Sequence, residues 1–436
     1  MRLRGRSVWL DYLSYRFWLD TVGSVMFLGG LVLLVLALYL SRNEWAALPG
    51  LVLVVSGLQH AVDVRHHADG IARFFGRPSR RFRRQPRVCI AKQQHSLADF
   101  GPSQKESEDG FSQRKFGADA VLYSRAVNDW LASADPSILL DGSKNAAVGS
   151  LIRSKREKLA ELLALKFYES RTDGKDFRNE RKLCLASDIG PTIQQVRCAV
   201  IGYYDAFLTN EAPLLSIYEQ STGIEIKEFG DLFPAEVDAS GILRMKSLEA
   251  SQCANAVGVS TLAFTNDGYM VLWEQSEVAQ QSEGCLAPSG SGSLDSTDLR
   301  AASLKDTLTH GMERELREEC SEKGTTLDGR EVGATKLIAY FRWLRRGGKP
   351  EFCGISRVYK RKAEVKPDHS EVHDGIDRSL FYPARDADQT LASISSLRVA
   401  GNLSTPLAVT LLALEAFVKG NRKEFEEFLA MTSNTR

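Results

Sequence analysis

Two apolar stretches near the N-terminus constrain this chain more than anything that follows them. Residues 22–40 (VGSVMFLGGLVLLVLALYL) contain no charge, and about 20 residues at 1.5 Å each span the hydrocarbon core of a bilayer. Residues 45–62 (WAALPGLVLVVSGLQHAV) are less apolar, with Pro49, Gln59 and His60 among them. The connection Ser41-Arg42-Asn43-Glu44 has room only for a tight hairpin. A cleaved signal peptide fits poorly, because the apolar core is long, begins late and is followed by no small-residue cleavage site. The expectation is a two-helix transmembrane hairpin within residues 1–76. Arg2, Arg4, Arg6 and Arg16 precede the first stretch, and Arg73, Arg77, Arg80, Arg81, Arg83, Arg84 and Arg87 follow the second. The positive-inside rule then places both ends on the cytoplasmic side. Trp9, Trp18 and Trp45 suit interface positions. Gly23, Gly29, Gly30, Gly50 and Gly57 allow close helix contact and point to self-association. Gln59, His60, Asp63, His66 and His67 read as the solvated flank of the second helix.

The rest of the 436 residues suffices for one large domain or two ordinary ones. Lys plus Arg is 56 and Asp plus Glu is 55, so no basic excess points to nucleic acid. The seven cysteines are scattered without a C-x-x-C pair, which reads as free thiols in a reducing compartment. Residues 77–118 read as a basic and polar linker. Residues 119–250 read as a helical lobe with some strands. Within it, Ile152, Leu159, Leu162, Leu163 and Phe167 share one face of a helix over 151–168. Asp188 and Asn210 read as helix caps.

Strand patterns dominate after residue 250. Residues 259–264 and 269–274 flank Thr265-Asn266-Asp267-Gly268, a hairpin turn sequence. A glycine-rich loop carries Gly290 and Gly292. Residues 336–344 and 351–359 form two strands around Arg345-Arg346-Gly347-Gly348-Lys349-Pro350, and helices follow at 405–418 and 422–431. The fold class expected is a membrane α-hairpin plus an α+β cytoplasmic region, with an α/β/α sandwich over residues 251–436.

Residues 304–323 (LKDTLTHGMERELREECSEK) carry the chemistry. On a helix, Glu315, Glu318, Glu319 and Glu322 recur at i, i+3, i+4 and i+7, so four carboxylates crowd one face. They repel one another unless a hard cation joins them. Mg²⁺ or Mn²⁺ takes carboxylate oxygens and lets phosphate oxygens complete its shell. An ordinary solvated helix is the competing reading, with Arg317 and Lys323 offsetting charge. The glycine loop before the helix favours the first reading, because its N–H groups can approach phosphates.

Arg314-Glu315-Leu316-Arg317-Glu318-Glu319 resembles the R-E-U-x-E-E core of the Nudix box, U being apolar, over a region of roughly residues 255–420. The resemblance implies metal ligation by Glu315, Glu318 and Glu319. It implies catalysis by Glu318 and Glu319 with Arg314 orienting them, and hydrolysis of a nucleoside diphosphate derivative by a metal-activated water. The chain departs from the box at Ser321, where a Gly is usual, at Asp306 in place of Glu, and at Arg300 in place of the first Gly. An altered entry loop favours phosphate binding over catalysis. Together with the hairpin, this domain resembles the Nudix-containing two-transmembrane effectors of CBASS, the bacterial cyclic-oligonucleotide anti-phage system. That resemblance implies a sensor for a cyclic or other second-messenger nucleotide made by a partner nucleotidyltransferase, and hairpins that cluster in the inner membrane and breach it. The alternative is a membrane-tethered, Mg-dependent Nudix pyrophosphohydrolase.

Arg342 and Arg346, with Arg345 and Lys349 around the Gly-Gly turn, are further candidates for phosphate binding, since Arg offers paired donors. A solvated hairpin tip is the competing reading. His369, Glu371 and His373 alternate, but their surroundings read as loop. No Ser/His/Asp set, P-loop or Rossmann fingerprint is present.

Overall fold

The computed structural model describes residues 12, 14–15, 21–40, 48–61, 88–92, 100–117, 119–172, 177–219, 225–228, 234–275, 285–300, 303–321, 327, 330–366 and 380–432. The arginine run 73–87, the hairpin connection 41–44, Trp9, Trp18, Trp45, Asp63, His66, His67, Glu322, Lys323, His369, Glu371 and His373 lie outside them. The chain divides into two compact units, each assembled from separated segments. The stretch 119–250, expected as one lobe, contributes to both.

The first unit comprises Met1–Gln94, Val148–Asn179 and Phe207–Leu232. Helices α1 (Thr21–Leu40) and α2 (Leu48–Ala61) pack together in it. Glycine sets how near they come: a Cβ at Gly30 would lie 2.8 Å from the Gly50 carbonyl oxygen, and one at Gly50 would lie 2.5 Å from the Leu34 nitrogen. The transmembrane expectation is corrected here. α2 has 14 residues, a rise of about 21 Å against a hydrocarbon core of roughly 30 Å. In α1, side chains are described only at 27–36 and 39. Among the described residues no helix is long and apolar enough to cross a membrane. The multi-pass inner-membrane placement, with both termini cytoplasmic, falls with it. Leu28, Leu31, Val32, Leu51 and Val52 are nonetheless exposed on this pair. Elsewhere in the unit, strand Leu215–Glu219 pairs antiparallel with Val88–Lys92 and Glu225–Glu228. Helix Arg156–Thr172 buries Leu159, Leu162, Leu163 and Phe167. Ile152, expected on that face, belongs to the preceding helix, which ends at Ser154.

The second unit comprises His95–Ala147, Glu180–Ala206 and Phe233–Arg436. Its centre is a mixed nine-stranded sheet. The strands are β1 (Ser112–Phe116), β2 (Asp119–Tyr123), β3 (Gly258–Thr265), β4 (Tyr269–Glu274), β5 (Leu286–Pro288), β6 (Gly290–Ser293), β7 (Val332–Trp343), β8 (Lys349–Val358) and β9 (Leu380–Pro383). Their order is β5-β4-β3-β8-β7-β2-β1, with β6 also on β3 and β9 also on β4. β3 and β8 run parallel and the remaining pairs antiparallel. Helices α3 (Arg125–Ser133), α4 (Leu304–Glu319), α5 (Ala387–Ala400), α6 (Thr405–Gly420) and α7 (Arg422–Ala430) belong to the same unit. A second sheet places Gln195–Gly202 between Ser137–Leu140 and Arg181–Leu185.

Every residue of β3 is buried, as a strand covered on both faces must be. Successive side chains alternate between two helical layers. Val259 packs with Leu304, Leu308 and Met312 of α4. Leu262 and Phe264 pack with Leu407, Leu411 and Leu414 of α6 and with Phe425 and Phe428 of α7. The unit is thus α+β, with α4 on one face of the sheet and α5–α7 on the other.

Candidate functional site

The site is built on α4. Ser303 caps its N-terminus, accepting the Asp306 N–H at 3.0 Å, while the Ser303 hydroxyl donates to the Asp135 carboxylate at 2.9 Å. Leu304, Leu308, Met312 and Leu316 recur every four residues and are buried against the sheet. That anchoring turns Arg314, Glu315 and Glu318 away from the core. The helix stops at Cys320, whose N–H closes on the Leu316 carbonyl.

Gly290 and Gly292 do not lie in a loop. They belong to β6, which pairs with β3 from Gly258 to Thr261. The strand passes so near α4 that side chains are excluded. A Cβ at Gly290 would stand 2.7 Å from the Leu316 nitrogen, and one at Gly292 would stand 2.2 Å from Glu315 Oε1. Between them, the Ser291 N–H donates to Glu319 Oε1 at 2.9 Å. We expect Gly290→Ala to cost about 1–3 kcal/mol, because backbone rather than a flexible side chain must give way. Chemical denaturation measures it, and an unchanged midpoint would mean that β6 and α4 separate freely.

Arg314 organises the carboxylates. Its Nε and Nη2 donate to the two oxygens of Asp298 at 2.9 and 2.8 Å, a bidentate pair. Nη2 also donates to the Ser293 carbonyl at 3.2 Å. Nη1 lies 2.8 Å from Glu315 Oε1 and 3.4 Å from Glu318 Oε2. Burial alone would disfavour the guanidinium's charge, but Asp298, Glu315 and Asp295 outweigh it and raise the Arg314 pKa. Asp298 is 1% exposed and sits in a 3₁₀ turn (Ser296–Asp298), where its Oδ2 also accepts the Asp295 N–H at 2.8 Å. Asp295 in turn pairs with Lys182 at 2.5 Å. His310 lies 4.0 Å from Asp298; burial, then Arg300, lower its pKa and keep the imidazole neutral over a wider pH range. In the sequence, the only local sign of Asp298 is its three-residue spacing from Asp295.

The structure therefore brings Gly290, Gly292, Arg314, Glu315, Glu318 and Glu319 together. It holds Arg342 and Arg346 in other company. Arg342 is fully buried, donating from Nη1 to Glu106 Oε1 at 2.6 Å and from Nε to the Gly348 carbonyl at 3.0 Å. The Arg346 guanidinium lies 5.6 Å from the Trp343 ring centre. Ser321, at the box position usually glycine, is buried and donates to the Arg317 carbonyl at 2.9 Å.

Among the described residues, no group of three or more His, Cys, Asp or Glu side chains is arranged to hold a metal ion. Glu315 is drawn to Arg314 and Glu319 to the Ser291 N–H, so the three glutamates form no cage of their own. What the cluster offers is a pair of carboxylates, Glu315 and Glu318, on the outer side of a fixed guanidinium.

No protein-family profile matches the chain, and no curated protein matches it. Among solved structures, the chain is similar to the crystal structure of DR0079 from Deinococcus radiodurans, at 15% identity and a TM-score of 0.24, over 36% of this chain and 81% of that one.

Proposed function

We propose that the second unit binds a nucleotide, in the role of a sensor for a cyclic or other second messenger, of the kind the resemblance to CBASS Nudix domains implies. The observation that carries the preference for binding over turnover is the Arg314 cluster. A general base needs a carboxylate directed at a water, whereas Glu315 and Glu318 are directed at a guanidinium. Mg²⁺ or Mn²⁺ fits this reading as a cation shared with the ligand, since Mg²⁺ is commonly held by one or two carboxylates plus phosphate oxygens. Glu315 and Glu318 would hold it, and it would neutralise phosphate charge beside them. The runner-up reading is Mg-dependent pyrophosphohydrolysis, supported by the intact glutamate triplet of the box.

Calorimetric titration of the full chain with a panel of cyclic and linear nucleotides, with and without Mg²⁺, separates the two, with products followed by chromatography. The expected result is Mg-dependent binding without turnover, weakened about tenfold or more in Glu318→Gln. Turnover that disappears in Glu318→Gln establishes the hydrolase instead. No binding anywhere in the panel removes both.

A further inference from the structure

The turn between β3 and β4 lies at the opposite end of β3 from the carboxylate cluster: Gly292 and Gly290 pair with Val259 and Thr261, whereas the turn begins at Thr265. A cavity of about 240 Å³ opens here, lined among others by Thr265, Asn266, Gly268, Arg357 and Arg385. Arg357 is 3% exposed. Its Nη1 donates to the Thr265 carbonyl at 3.1 Å and its Nη2 to the Asn266 side-chain oxygen at 3.2 Å, both neutral groups. Its Nε has no partner. Of the other buried or nearly buried cations, Arg314, Arg342 and Lys349 each have a carboxylate (Asp298, Glu106 and Glu351), whereas Lys144 donates to the Leu248 and Ser251 carbonyls and lines no part of this cavity. Among the described residues Arg357 has none. Burial accordingly lowers its pKa, with only Tyr359 opposing.

A guanidinium buried without counter-charge is costly, and this one borders an open cavity. Arg385, exposed, adds a second guanidinium at the rim. Gly268, with φ of 79°, lets the turn pass beneath it, since a Cβ there would meet Arg385 Cγ at 2.5 Å. The one carboxylate in the lining, Asp267, is engaged in the turn. Its Oδ1 accepts from the Thr265 hydroxyl at 2.7 Å and from the Lys362 N–H at 2.9 Å.

We propose that this cavity is a second, separate anion site, in which Arg357 and Arg385 take a phosphate-type oxyanion. Arg357 presents donors and missing charge, and Arg385 closes over the ligand from outside. The volume falls below the roughly 300–1,000 Å³ typical of small-molecule sites. The occupant is therefore free phosphate or the phosphate end of a larger molecule.

Thermal unfolding of the full chain in EDTA, in inorganic phosphate against chloride at matched ionic strength, tests it. A parallel arm with AMP distinguishes the two sources: tighter binding of AMP assigns a phosphorylated ligand, and equal or weaker binding assigns free phosphate. Phosphate is expected to raise the unfolding temperature of the wild type. Arg385→Glu, at the exposed rim, should weaken apparent phosphate affinity about tenfold or more. Arg357→Met should abolish the phosphate shift while leaving the phosphate-free unfolding temperature unchanged or higher, because it removes an uncompensated buried charge. Glu319→Gln should keep the full shift, which separates this site from the carboxylate helix and makes its fate independent of the nucleotide reading. An absent shift in the wild type, or a full shift in Arg385→Glu, overturns the proposal.

Discussion

Replacing Arg314 by methionine should destabilise the protein by about 3–5 kcal/mol, the usual cost of removing one partner from a buried ion pair. The reason is Asp298. It is 1% exposed, and both its oxygens face the Arg314 guanidinium. Without that cation a carboxylate stays buried with little beyond the Asp295 N–H to satisfy it. Arg314→Lys keeps the charge but loses the fork, so it should fall between wild type and methionine. In the double variant Arg314→Met/Asp298→Asn the orphaned charge is gone, and the loss should be well below the sum of the two single losses. Urea unfolding of the wild type, Arg314→Met, Asp298→Asn and the double variant gives the coupling directly; additive losses would mean that the pair is not what fixes the helix to the turn Ser296–Asp298. The same substitution frees Glu315 and Glu318 from Arg314. Nucleotide affinity of the folded Arg314→Met protein should then fall, because the two carboxylates lose their common anchor.

Local chemistry explains which parts of this architecture were legible from sequence. The β3–β4 hairpin was, because Asn266-Asp267-Gly268 supplies a residue that tolerates positive φ between two apolar runs. α4 was, because Leu304, Leu308, Met312 and Leu316 repeat at helical spacing. β6 was not: Gly-Ser-Gly-Ser has no strand propensity of its own, and its pairing with β3 is imposed by the register of Gly258–Thr261. The role of Gly290 and Gly292 changed accordingly, from phosphate contact to close passage beneath α4. The Arg314–Asp298 pair could be seen only once the chain had folded back across a sequence separation of sixteen residues. At the N-terminus, apolar composition set an expected span, but among the described residues no helix is long and apolar enough to cross a membrane, and composition does not fix a helix's length. One helix expected over 151–168 is likewise two, divided at Lys155.

Arg342 gives the sharpest separation between a binding and a supporting role. Read from sequence, it sits beside a Gly-Gly turn with Arg345, Arg346 and Lys349 as neighbours, a basic tip suited to phosphate. In the fold it is 0% exposed. It donates to Glu106 Oε1 at 2.6 Å and to the carbonyls of Gly348 and Lys246 at 3.0 and 2.8 Å. Glu106 Oε2 is occupied by the N–H and hydroxyl of Ser103, each at 2.9 Å. Arg342 thus ties β7 to the short helix Gln104–Glu108 and to the segment at Lys246. Arg342→Met leaves Glu106 Oε1 buried and unpaired and frees two carbonyls, so a loss of about 3–5 kcal/mol is expected. Arg342→Met/Glu106→Gln should recover part of it, because the unpaired charge is then absent. At temperatures where the variant remains folded, Mg-dependent nucleotide affinity should match the wild type. Stability unchanged with nucleotide affinity lost would return Arg342 to the binding role that its sequence neighbourhood suggested.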